Sequence, residues 1–218
     1  MKWDKVALVV LEENMDDATL SLAEEMEYYI NRYNIPSHLV VTINQPVREF
    51  IYGLGGIGRE IARWRGVLAG LLTSKSKIFI IAHGSRPPTV TCARLDGVLM
   101  SRLLKILGVT EAGLISFKSC HTGRDSYLEE FAAACTHDNI RFGWCLGYIN
   151  YAGLCWKGLI TGSTGYHKRQ LVGIADSLLY HMSCGLGKLP DSYRVRIVEG
   201  TLTLPEEFVK TLGPRFNR

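Results

Sequence analysis

Short unbroken runs of apolar residues alternate along the chain with longer stretches in which apolar positions recur every three or four residues. Val6–Leu11 (VALVVL), His38–Ile43 (HLVVTI), Lys77–Ala82 (KIFIIA) and Gly113–Phe117 (GLISF) are runs of the first kind. Such runs, short and unalternated, predict strands covered on both faces. Arg141–Ile149 predicts one more. Leu20–Tyr33 predicts a helix with Leu20, Ala23, Met26, Tyr29, Ile30 and Tyr33 toward one face and Asp16 and Asp17 as caps. Asp96–Leu107 predicts a second helix with Val98, Leu99, Leu103 and Leu107 inward. Asp125–Cys135 predicts a third, with Asp125 and Glu129 at its positive end. Residues 168–183 predict a last helix, closed by Gly185. A glycine-rich turn at Gly53–Gly58 (GLGGIG) opens a helical stretch to Leu72, with Ile57, Ile61, Trp64, Leu68 and Leu71 at helical spacing. Regular alternation of strand and helix predicts an α/β fold: a three-layer sandwich, mainly parallel sheet with helices on both faces. Residues 1–190 form one such domain, and the strand-like YRVRIVEGTLTL within 191–218 packs on it as a final strand and tail.

Composition narrows the class. In 218 residues, 47% are hydrophobic and 21% charged, enough for a sizeable core and too apolar for a disordered chain. Lys+Arg 25 against Asp+Glu 21 gives +4 without a dense basic cluster, so no nucleic-acid partner is expected. The apolar run near the N-terminus is too short for a signal-peptide core or a membrane span, so no membrane association is expected either. Cysteines at 92, 120, 135, 145, 155 and 184 form no CxxC pair, and four lie inside apolar stretches. They read as reduced residues of a cytoplasmic protein rather than a disulfide framework.

In an open α/β sheet, reactive groups collect beyond the carboxyl ends of the strands. Two consecutive runs end in suitable chemistry: Ile80-Ile81-Ala82-His83-Gly84-Ser85, and Ser116-Phe117-Lys118-Ser119-Cys120-His121-Thr122-Gly123. The interval between them holds a loop, a helix and a return strand, the minimal right-handed crossover between adjacent parallel strands. His83 and Cys120 then emerge at one edge of the sheet, where an imidazole raises the thiolate fraction of a cysteine. Gly84 lets backbone approach a substrate carbonyl, and its N–H with that of Cys120 forms a candidate oxyanion hole. His121 points to the opposite face and serves to orient the loop.

A hydrophobic strand ending His-Gly, then one ending Ser-Cys-His-Thr-Gly, resembles the caspase-like (clan CD) cysteine peptidases. The local match is nearest to metacaspases, whose motif Asp-x-Cys-His-Ser-Gly shares the cysteine, histidine and glycine of Cys120, His121 and Gly123. The resemblance implies a cysteine endopeptidase with Cys120 as nucleophile and His83 as base, acting on a protein or peptide substrate without metal or organic cofactor. Metacaspases carry an acid two residues before the cysteine that holds a basic P1 side chain. Lys118 stands there in this chain. A cation repels arginine and lysine and attracts aspartate or glutamate, so an acidic or uncharged P1 is expected. Ser85, Arg86 and Arg194 are further candidate substrate contacts.

Blander readings stand beside these. Cys120 taken alone fits an ordinary buried cysteine, and His83 alone a structural histidine. Ser85 and Arg86 fit loop caps, and Lys118 a solvated side chain. Cys135 with His137, and His181 with Cys184, are zinc-compatible pairs that would have to converge from distant segments. The whole domain also fits a catalytically silent caspase-like module that binds a partner. GLGGIG satisfies the GxGxxG pattern of NADP-dependent oxidoreductases, but QPVREFIYG before it is a poor buried strand and no acid stands at the end of the next strand.

Overall fold

The computed structural model describes residues 3–11, 17–44, 47, 51, 62–85, 88–149, 195–204 and 206. Among these residues six strands form one sheet: β1 (Lys5–Leu11), β2 (Val40–Ile43), β3 (Ser76–Ala82), β4 (Glu111–Lys118), β5 (Arg141–Tyr148) and β6 (Val195–Glu199), in the spatial order β2-β1-β3-β4-β5-β6. The first five are parallel and β6 returns antiparallel to β5. Each predicted run is a strand. His38 and Leu39 belong instead to a 3-10 turn, Ser37–Leu39, that leads into β2.

Among the described residues, α1 (Asp17–Tyr33), α2 (Gly97–Ile106) and α3 (Tyr127–His137) connect strands. The register shows which face each covers. Phe79 pairs with Ser116 and Ile80 with Phe117, so Phe79 and Phe117 point to opposite sides of the sheet. Tyr29 of α1 lies 4.5 Å, ring to ring, from Phe79, whereas Phe131 of α3 lies 5.0 Å from Phe117. Helices therefore cover both faces of a mainly parallel sheet, as expected. α2 packs on α3 so closely that a Cβ on Gly97 would meet the Phe131 nitrogen at 2.5 Å.

Two helix faces differ from the pattern reading. Val98 is 44% exposed rather than inward. The buried stripe of α2 is Leu99, Met100, Leu103 and Leu104, which turns Val98 outward with Arg102 and Lys105. On α1 the buried stripe runs Leu22, Glu25, Tyr29, so a carboxylate occupies a core-facing position. Asp125 stands before α3 with φ +50°, and Glu129 and Glu130 supply the acids of its first turn. Asp96 caps α2, its Oδ1 accepting from the Leu99 N–H at 2.8 Å. Asp96→Ala is expected to cost about 1 kcal/mol in urea unfolding, while Asp96→Asn retains most of the stability.

After the glycine-rich turn, helical residues stop at Trp64 instead of reaching Leu72. The Gly66 and Leu68 N–H groups donate to the Ile106 and Leu107 carbonyls, so this backbone serves the end of α2 rather than its own helix. The turn itself, the helix expected at 168–183, Arg86, Arg194, Cys155, His181 and Cys184 lie outside the described residues. β2 ends at Ile43, and both Val47 and Ile51 are helical. Ile51, two residues before Gly53, is thus helical where a dinucleotide fingerprint requires a strand. Among the described residues no helix is long and apolar enough to cross a membrane.

Candidate active site

The strand order turns back between β1 and β3, and such a reversal leaves a crevice beyond the carboxyl ends of those strands. β3 and β4 run side by side, with Ile81 opposite Lys118 as their last paired residues. His83 and Cys120 each follow two residues later, on neighbouring strand ends at one rim.

Contact between these ends is close. A Cβ built on Gly84 would lie 1.9 Å from the Cys120 carbonyl oxygen and 2.8 Å from its nitrogen. Only glycine lets the two backbones meet in this way. The Ala93 N–H donates to the His83 carbonyl at 2.8 Å and the Ser85 N–H to the Thr91 carbonyl at 3.0 Å, with Gly84 opposite Cys92 between them. In this antiparallel arrangement Gly84 directs its own N–H and carbonyl away from the 91–93 segment. The Ser85 hydroxyl closes the loop, donating to the Thr89 carbonyl at 2.6 Å and accepting from the Thr91 N–H at 2.8 Å. His83 itself is exposed.

The turn after β4 is held from both sides. The Thr122 hydroxyl donates to the Ser119 carbonyl at 3.0 Å, and the Gly123 N–H to the Tyr148 carbonyl at 2.8 Å. His121, 3% exposed and at φ +61°, brings Nδ1 to 3.4 Å from the Ile149 carbonyl. Its ring is thus packed inside the turn, consistent with orienting it. A Cβ on Gly123 would meet the Gly147 carbonyl oxygen at 2.6 Å, and one on Gly147 the Thr122 carbonyl carbon at 2.7 Å. The glycine of the Cys-His-Thr-Gly motif is needed because this turn lies against the backbone of β5.

Exposure separates the described cysteines. Cys92, Cys135 and Cys145 are buried, whereas Cys120 is partly exposed. Burial pushes the Cys135 thiol up to about 12 and holds the Cys145 thiol well above the ordinary range. Neither is suited to supply a thiolate at neutral pH. His137, the expected companion of Cys135, is 89% exposed and lies beside Asp138. Among the described residues no three His, Cys, Asp or Glu side chains converge as a metal would require.

Lys118 occupies the α1 side of the sheet, half-buried. Its ammonium donates to the Tyr148 hydroxyl at 2.9 Å and lies 5.7, 5.4 and 4.9 Å from the ring centres of Tyr29, Phe79 and Tyr148. Glu25, 8% exposed, lies within reach of its charge. Burial raises the Glu25 carboxyl from 4.5 to about 7, and Lys118 pulls it the other way. Pattern reading missed Glu25. The signal available was its spacing, three residues after Leu22 and four before Tyr29, on the buried stripe of α1.

Stability should register this carboxyl. A pKa raised by folding gives stabilisation that is full below 4.5 and lost as pH rises through about 7. Glu25→Gln removes the penalty at high pH, worth on the order of 3 kcal/mol. Thermal melts should show the variant several degrees above the parent at pH 8 and nearly level with it at pH 4.5.

An open cleft of about 580 Å³ lies elsewhere, lined by Met26, Ile30, Val40, Thr42, Arg63 and Trp64 among others. β1 and β3 separate its strand, β2, from β4, so it is not the surroundings of Cys120.

No family model and no curated protein matches the chain. Its fold is similar to that of a secreted C11 cysteine protease from Bacteroides thetaiotaomicron, solved in complex with an irreversible peptide inhibitor. The TM-score is 0.41 and the identity 5%, over 89% of this chain and 66% of that one.

Proposed function

We propose that this chain is a caspase-like cysteine endopeptidase. The observation that carries the reading is the meeting of Gly84 and Cys120 at adjacent strand ends, with the partly exposed cysteine of the described set on one side and His83 on the other. The Cys120 thiolate attacks the scissile carbonyl carbon while the Gly84 and Cys120 N–H groups hold the developing oxyanion. The C–N bond then breaks, and His83 gives the leaving amine its proton. Water, deprotonated by the same imidazole, cleaves the resulting thioester and releases the carboxylic acid and the thiol. No metal or organic cofactor takes part.

Lys118 lines the P1 site in this reading, two residues before the nucleophile, and favours an acidic or uncharged side chain. Ser85 contributes through the loop that its hydroxyl closes, and Arg86 and Arg194 remain candidate substrate contacts. The test is a panel of peptidyl fluoromethylketones varied at P1 and read by intact mass. One label per chain, lost in Cys120→Ala, is expected. A well-folded chain that no member labels would instead be a silent binding module.

A further inference from the structure

The mechanism above leaves the buried carboxyl of Glu25 unused. Every element around it adds titratable or charged groups. α1 supplies Tyr28 and Tyr29 one turn on, with Arg32 and Tyr33 beyond; β3 supplies Lys77, β4 Lys118 and β5 Tyr148. Two of the three cations are engaged elsewhere. Arg32 bonds the Tyr28 hydroxyl and stacks on the Tyr28 and Tyr33 rings, and Lys77 lies over Phe79 at 4.2 Å. Lys118 is the cation whose charge acts on Glu25, and it stands two residues from Cys120.

We propose that Glu25 is a specificity-determining residue of the substrate site: ionised, it offsets Lys118 and the site favours an uncharged P1 side chain; protonated, it leaves Lys118 unopposed and the site takes an aspartate. This rests on the peptidase reading, with Lys118 at P1. The charge argument is direct. Lys118 and an ionised Glu25 together carry no net charge, so a P1 carboxylate entering this half-buried place loses water without a net attraction. One proton on Glu25 leaves a net positive charge to receive it. Burial sets that protonation near neutral pH.

The experiment uses two peptides identical except for aspartate or asparagine at P1, with kcat/KM measured from pH 5.5 to 8.5. Their ratio cancels the ionisation of Cys120 and His83, which acts on both peptides alike, and the P1 carboxylate stays ionised throughout. The parent ratio, aspartate over asparagine, is expected to fall about tenfold as pH rises, with its midpoint near 7. Glu25→Gln keeps the shape and should hold the high ratio at every pH. A flat ratio in the parent, or a variant that titrates like the parent, overturns the proposal. So does cleavage of peptides with other P1 residues while both of these resist, an outcome that leaves the peptidase intact. Failure to cleave any peptide, with no labelling of Cys120, removes the peptidase reading and the proposal with it.

Discussion

Cys120→Ala is expected to bring peptide hydrolysis down to background while leaving the melting temperature almost unchanged. Removing a nucleophile removes the covalent route altogether, a loss of about 10⁴-fold or more in kcat/KM. The thiol is partly exposed, and the contact with Gly84 is made by the Cys120 backbone, which alanine preserves. His83→Ala should cost about 10²- to 10⁴-fold, the usual worth of a positioned acid–base group. The double variant should be no slower than Cys120→Ala, because two groups serving one proton transfer are not additive. Purified proteins assayed on a peptide that the parent cleaves decide the matter. Full activity in either single variant ends the proposed mechanism.

Gly84→Ala is expected to fail differently, losing activity and stability together. The added methyl would sit 1.9 Å from the Cys120 carbonyl oxygen, and its other neighbours are backbone atoms that no rotamer change can move. β3 and β4 would have to part at their ends. That costs about 1–3 kcal/mol by the usual scale of overpacking, and more if the turn at residues 119–123 is pulled off β5. A melting temperature lowered by several degrees, with hydrolysis near background, is the expected pair of results. An alanine variant with the parent's stability would mean that these strand ends lie further apart than described.

Strands were legible because burial on both faces removes alternation: VALVVL, and IFIIA after Lys77, have no polar position to give a wrong register. Helix faces were less so. Val98 and Leu99 are adjacent and equally apolar, and the choice between them is made by how α2 rolls onto α3 around Gly97. Glu25 was invisible for the opposite reason. A carboxylate is normally assigned to the outer face, and the cation whose charge acts on this one, Lys118, lies far away in sequence. The site's frame was readable in two short motifs, since His83-Gly84 and Cys120 end consecutive predicted strands. The need for glycine at 123 was not, because its cause is the backbone of Gly147 on another strand.

β6 joins β5 from the far end of the chain, and the face it helps finish matters for synthesis. Trp144, Leu146 and Leu114 are covered with help from Ile197 and Leu204, which leave the ribosome about fifty residues later. Until then a nascent chain presents an unpaired β5 edge beside an open tryptophan, the surface on which chains adhere to one another. Holdase chaperones should therefore engage partly made chains after residue 149 and release them once Val195–Glu199 has emerged.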